Sequence, residues 1–250
     1  MFLRSSEARK SKGSRFRPYF STRAFPRALR VTGRLLNLGL MPASTMDTSS
    51  FDAHAALRAQ MRERRTKLSA AERIAAANGV AASLEQLPEF LVDRRVAGYW
   101  AVGGELPLHA AVARLNARGQ QYCLPIVGKD RGLRFAPLIK NAELRPNRYG
   151  IPEPEHTESD LLTAQEIDLV LVPLTAFDRS GRRVGMGGGY YDRSFAFLHG
   201  APRPAQPLLV GIGYSFQEVD ALAAREWDVA LDFIATDKEL IDCTPPETRP

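Results

Sequence analysis

The chain has 250 residues, 44% of them hydrophobic and 25% charged. That is the range of ordinary globular proteins and enough for one sizeable core. A net charge of +6 would point to an acidic partner such as nucleic acid, but the charge is not spread evenly. Residues 1–45 hold ten Lys or Arg against one acid, Glu7, for +9, which leaves 24 bases against 27 acids, or −3, on the remainder. The folding part is thus mildly acidic and gives no electrostatic case for nucleic acid. Two cysteines far apart, Cys123 and Cys243, form no C-x-x-C pair and fit a reducing compartment.

The first 45 residues are rich in Arg and Ser and nearly free of acids. Val31–Met41 is interrupted by Gly33, Arg34, Asn37 and Gly39 and is too short and polar to span a bilayer. Three readings stay open: a disordered basic tail, an organellar transit segment, or sequence upstream of a start at Met41 or Met46. From Asp52 to Lys67 the spacing predicts a basic amphipathic helix, with Leu57, Met61 and Leu68 on one face. Ser69-Ala-Ala-Glu72 has the capping-box form and opens a second helix that runs to Leu87, before Pro88.

Apolar strands then alternate with helical stretches. Strands are expected at Val96–Val102, Gln121–Val127, Leu169–Leu174, Leu208–Gly213 and Asp232–Thr236, and helices at Pro107–Arg118 and Gly189–Phe197. A second capping box, Ser215-Phe-Gln-Glu218, predicts a short helix, and Asn141–Asp160 reads as a long loop. The order implies an α/β fold, a mostly parallel sheet flanked by helices in three layers. The expected division is residues 1–51 as an extension, 52–242 as one domain and 243–250 as a tail.

The most informative stretch is Phe177-Asp-Arg-Ser-Gly-Arg-Arg-Val-Gly-Met-Gly-Gly-Gly-Tyr-Tyr-Asp-Arg193. Glycine at 185, 187, 188 and 189 lets backbone N–H groups approach phosphate oxygens, and the helix that follows adds its positive end. Arg182 and Arg183 can donate to phosphates, Asp192 offers magnesium a hard oxygen, and Tyr190 and Tyr191 offer flat surface to an aromatic ligand. The loop lacks Gly-Lys-Ser/Thr and is no Walker A sequence. A glycine-rich turn without such neighbours is an ordinary structural feature.

This stretch resembles the signature of the 5-formyltetrahydrofolate cyclo-ligases, and the resemblance runs from about Ala55 to Thr236. It implies that Gly185, Met186, Gly187, Gly188, Gly189, Tyr190 and Tyr191 bind ATP, with Arg183 and Arg58 stabilising the phosphoryl transfer. On the first helix Arg58 matches an ATP-contacting Arg. His54 stands where the family has Lys, and Arg62, one turn further along, is a substitute cation. Trp100-Ala-Val-Gly-Gly-Glu105 implies a pterin contact near Trp100 and a folate-binding carboxylate at Glu105, beside Tyr190. A carboxylate suits an aminopyrimidinone edge, which presents two N–H donors. Tyr149-Gly-Ile-Pro-Glu-Pro154 and Pro125 match shaping positions, with Ile126 where a base usually follows. Asp228, in Glu226-Trp-Asp-Val-Ala-Leu-Asp232, matches a magnesium ligand alongside Asp192.

The implied fold is similar to sugar-phosphate isomerases and CoA transferases. The implied reaction has ATP phosphorylate the formyl oxygen of 5-formyltetrahydrofolate, N10 close the ring, and phosphate leave, giving 5,10-methenyltetrahydrofolate and ADP. Magnesium ion is the implied cofactor and ATP the co-substrate. The expected partners are these small molecules, with no membrane or nucleic acid, in a monomeric cytoplasmic protein, or a mitochondrial one if residues 1–45 are a transit peptide. A phosphosugar isomerase and an RNA-binding protein without catalysis are the rival readings. His156-Thr-Glu158 lacks the P-C-x-x-C of zinc deaminases, the histidines lack metal spacing, and Ser180 is in no nucleophile elbow.

Overall fold

The computed structural model describes residues 48–244. The basic arm and most of the expected tail lie outside the described residues. Helix α1 (Thr48–Thr66) is followed by α2 (Ala70–Leu84), and the break between them is fixed by the capping box. The Glu72 amide donates to Ser69 Oγ at 3.2 Å while Glu72 Oε2 accepts from the Ser69 amide at 2.7 Å. Pro88 does not end helical structure but restarts it, sitting in the first turn of α3 (Pro88–Val92), where its missing N–H costs nothing.

The strands are β1 (Arg95–Ala97), β2 (Gln121–Val127), β3 (Leu133–Pro137), β4 (Leu144–Pro146), β5 (Pro152–Pro154) and β6 (Leu169–Pro173). After them come β7 (Ala176–Phe177), β8 (Arg183–Val184), β9 (Leu208–Ile212), β10 (Phe233–Ala235) and β11 (Leu240–Asp242). Helix α4 (His109–Ala117) connects β1 to β2, and α5 (Tyr190–Ser194) follows β8. Seven strands form one sheet in the order β11-β10-β9-β6-β1-β2-β3. Its inner pairings are parallel, and β3 and β11 close the two edges antiparallel.

The three layers follow from period-two alternation along strands with no polar face. In β6, Leu169 and Leu171 join a cluster with Val80 and Leu84 of α2 and Ala111 and Leu115 of α4. Val170 and Val172 point the other way, to Phe135, Phe195, Leu198 and Ile234. A run of apolar residues therefore reads as a strand covered on both sides. Among the described residues no helix is long and apolar enough to cross a membrane.

Four expectations are corrected. The first strand stops at Ala97: after the Gly98 amide makes a last bond to the Cys123 carbonyl of β2, the chain leaves the sheet to form a turn through 105. The expected loop at 141–160 contains the β4–β5 hairpin, whose prolines at 146, 152 and 154 suit a two-stranded ribbon with open edges. The helix expected at Gly189–Phe197 is the five-residue α5 plus a 3-10 turn, too short to offer a helical dipole of consequence. Ser215 does not cap: Tyr214 does, its amide donating to Gln217 Oε1 at 2.9 Å, while Glu218 accepts from Arg179 at 2.7 Å.

Candidate functional site

The carboxyl ends of β1, β6 and β9 lead into the segments 98–105, 174–193 and 213–231, where open parallel sheets place their ligand sites. Helix α1 lies across the second of these. Met61 and Leu57 pack with Ala176, Val184 and Leu222, which sets its polar side over the glycine-rich loop.

At that loop Arg58 Nε donates to the Gly185 carbonyl at 2.8 Å. A Cβ on Gly187 would lie 3.7 Å from the Arg58 guanidinium carbon, and Gly187 itself has φ +99°, so the loop folds flat against that guanidinium. Gly189, with φ 63° and ψ 21°, turns the chain into α5 through the left-handed region that glycine enters without strain. Arg183, its side chain nearly buried, is ion-paired with Asp192 and donates to the Val229 carbonyl. Asp192 Oδ1 also accepts from the Val229 amide at 3.3 Å, which sets it beside Asp228. Asp228 Oδ2 accepts from the Arg225 amide at 3.1 Å.

The cationic side contains a residue that sequence reasoning missed. Arg225 Nη2 donates to His54 Nδ1 at 3.1 Å. Burial, then the guanidiniums of Arg225 and Arg58, push the His54 pKa below its ordinary value, with Asp228 opposing them. Burial, Arg225 and Arg62 also lower that of Arg58. Arg62 is exposed on α1 and within electrostatic reach of Arg58, while the direct partner of His54 is Arg225.

The second half of the site is buried. Gly103 and Gly104, at φ +58° and +76°, reverse the chain so that Glu105 Oε2 accepts from the Val102 amide at 3.0 Å. Glu105 is 9% exposed, and burial raises its pKa, opposed by the Val102 bond and by the Arg65 charge. Arg65, also missed, is 1% exposed, bonds Thr175 Oγ1 at 3.5 Å and has its buried Nε without a hydrogen-bond partner. A Cβ on Gly104 would stand 3.1 Å from Arg65 Cβ, so the turn rests on the arginine stem. Spacing held a signal for Arg65, since it follows Arg58 by seven residues and shares its helix face. None existed for Arg225, which lies 171 residues from His54.

Tyr191 bridges the two halves, its phenol within electrostatic reach of both Glu105 and Arg183 and its pKa raised chiefly by burial. Tyr190 is half-buried and its hydroxyl meets that of Tyr149 at 2.6 Å, which brings the β4–β5 hairpin tip over the loop. Trp100 is 40% exposed at the mouth of the 98–105 turn, and Met186 and Gly188 are exposed on the loop. A cavity of about 630 Å³ runs along α1 beside Val219 and Leu222 and is lined on the helix side by His54 and Leu57.

Residues 51–237 match the family described as 5-formyltetrahydrofolate cyclo-ligase. The chain belongs to the 5-formyltetrahydrofolate cyclo-ligase family. It is 30% identical to the 5-formyltetrahydrofolate cyclo-ligase of Escherichia coli K12, over 70% of this chain and 96% of that protein. The structure of 5,10-methenyltetrahydrofolate synthetase from Aquifex aeolicus aligns with a TM-score of 0.66 and 29% identity, covering 79% of this chain and 96% of that one. The enzyme of that name from Mycoplasma pneumoniae aligns with a TM-score of 0.58 and 27% identity, covering 74% and 99%. Both neighbours share the fold of this chain, and the family match at residues 51–237 takes in both halves of the site. The glycine loop, the α1 guanidiniums and the Glu105 turn therefore all fall inside the region that defines a cyclo-ligase.

Proposed function

We propose that this chain is a 5-formyltetrahydrofolate cyclo-ligase, converting 5-formyltetrahydrofolate to 5,10-methenyltetrahydrofolate with ATP and magnesium and releasing ADP and phosphate. The observation that carries the reading is the joining of a guanidinium-lined glycine loop to a buried carboxylate, with Tyr191 in reach of both. The first end suits a triphosphate. Arg58 and Arg183 are held in place by the Gly185 and Val229 carbonyls before substrate arrives, so little reorganisation is needed as charge develops on the transferring phosphoryl group. Gly185, Met186, Gly187, Gly188, Gly189, Tyr190 and Tyr191 line it, with His54 and Arg62 on the helix side.

The second end suits the folate ring. Glu105, sunk beneath Gly104 and already holding one backbone N–H, can accept further N–H donors from an aminopyrimidinone edge, and Trp100 and Tyr190 are the flat surfaces assigned to the ring. With the ring anchored there, the formyl oxygen is the group that can face the γ-phosphate, and positioning supplies much of the rate. The chain then has no need of a covalent nucleophile.

Asp192 and Asp228 fit a magnesium ion. Asp192 Oδ1 accepts from the Val229 amide, next in the chain to Asp228, which supports the two carboxyls acting on one ion. Among the described residues there is no cluster of three or more metal-binding side chains, and magnesium typically takes one or two carboxylates with substrate phosphates and water. The metal's contribution there is to neutralise phosphate charge. Both cysteines are buried free thiols, and the location we propose is the reducing cytoplasm.

The test is the appearance of methenyltetrahydrofolate absorbance from 5-formyltetrahydrofolate. Turnover is expected only with ATP and a divalent ion together, with one ADP released per ring closed. Equal turnover without ATP overturns the proposal.

A further inference from the structure

The His54–Arg225 contact has chemistry of its own. A guanidinium cannot accept a hydrogen bond, so the 3.1 Å contact requires His54 Nδ1 to be the acceptor, with the ring proton on Nε2. The imidazole is then neutral and adds no charge to α1. The charge at this point of the site comes instead from the segment after β9.

Three guanidiniums converge here: Arg58 beneath Gly187, Arg62 one turn along α1, and Arg225 across from His54. The Arg225 segment is also tied to the acidic side, since the Arg225 amide holds Asp228 and the Val229 amide holds Asp192. The guanidinium stacks near Trp227, its carbon 5.8 Å from the ring centroid, which limits the directions in which it can swing.

Resting on the cyclo-ligase reading, we propose that Arg225, steered by its bond to His54, is a further binding residue for the triphosphate of ATP, supplying from the 213–231 segment the cation that α1 lacks at position 54. His54 is its positioning residue. It offers a neutral acceptor at the N-terminal end of the Arg58 face, so the guanidinium is held within electrostatic reach of Arg58, which bonds the glycine loop. Burial and the charges of Arg225 and Arg58, opposed by Asp228, push the imidazole in that same direction, toward the neutral form.

The experiment is calorimetric titration of the full chain with magnesium ATP, alongside KM values for ATP and 5-formyltetrahydrofolate. Loss of one charge-assisted contact in Arg225→Ala should raise the ATP Kd about tenfold, while the 5-formyltetrahydrofolate KM stays within roughly twofold. It should also flatten the salt dependence of ATP binding, which a packing defect would not do. Arg225→Lys should keep most of the affinity. Because the argument concerns where a cation stands, His54→Lys in the Arg225→Ala background should restore binding to within roughly threefold of the original.

An unchanged ATP Kd in Arg225→Ala, in a wild-type chain that turns over, overturns this assignment and leaves the cyclo-ligase reading intact. Equal rises in both KM values with a lowered melting temperature also overturn it, because they mark a structural role. A wild-type chain that neither binds ATP nor closes the ring removes both. Should Arg225→Ala not fold, Arg225→Gln, which keeps a donor without the charge, carries the same contrast with Arg225→Lys.

Discussion

Arg58 and Arg65 lie two turns apart on one face of α1 and have opposite surroundings. Arg58 is half-buried at the mouth of the site, its Nε fixed on the Gly185 carbonyl and its guanidinium plane beneath Gly187. Arg65 is closed off from water, its Nε unpartnered, and its charge acts on the buried carboxylate of Glu105. One face of one helix thus serves both halves of the site. A guanidinium near water can meet a ligand directly, whereas one under the 103–105 turn acts through the group above it. Burial, not residue type, decides which.

The largest effect is expected where the guanidinium would meet the reacting group. Arg58→Ala should reduce kcat/KM about a hundredfold, the scale seen when one preorganised transition-state donor is removed. Its melting temperature should hold, since the lost side chain faces the loop and not the core. A large fall in melting temperature would break the comparison by making Arg58 a structural residue like Arg65.

Arg65→Met should do the reverse. Keeping the stem but removing the charge leaves Glu105 buried without its compensating cation, at a cost to folding stability of about 2 kcal/mol near pH 7. The sign follows from the carboxyl's raised pKa. Glu105 is penalised in its ionised form, so the loss should shrink as pH falls and the group takes up its proton. On the role proposed for Glu105, folate binding needs the ionised form and should weaken as pH falls through that same raised pKa, and in Arg65→Met the weakening should begin at higher pH than in the original. Denaturant unfolding and the folate KM, each taken from pH 5 to 9, measure both. A pH-independent loss would mean that Arg65 contributes packing only.

The smallest effect sharpens the contrast by taking a carboxyl whose neighbours are acidic. Asp93 is raised to about 6 by burial and by the charges of Asp168 and Glu89. Its folded pKa lies above the ordinary 3.8, so its favourable contribution is complete below pH 3.8 and lost as pH rises through about 6. Asp93→Asn should therefore raise the melting temperature at pH 7 by roughly one or two degrees and leave it unchanged below pH 4. A gain that persists at low pH would show that something other than ionisation of Asp93 is responsible.

Local patterns were legible where a side chain's role depends on its own segment. The Ser69–Glu72 capping box, the strand at Gln121–Val127 and the doubly covered strand at Leu169–Pro173 are written in short stretches, because caps and alternation act over a few residues. The glycine loop, Glu105, Arg58 and Arg62 stand out in the same way, as residue types whose chemistry is intrinsic. The edge strands Leu133–Pro137 and Leu240–Asp242 were not legible, being short and defined by the neighbour they pair with. Nor could the Ser215 capping box be told from the Tyr214 cap that the structure contains, since Glu218 is drawn away by Arg179, 39 residues distant. By itself the sequence determined the α/β order, the glycine-rich loop and the carboxylates at hand. Only the tertiary structure decided that Arg65 lies under Glu105 and that Arg225 meets His54, because those pairings join residues far apart in the chain and depend on the sheet that brings their segments to one edge.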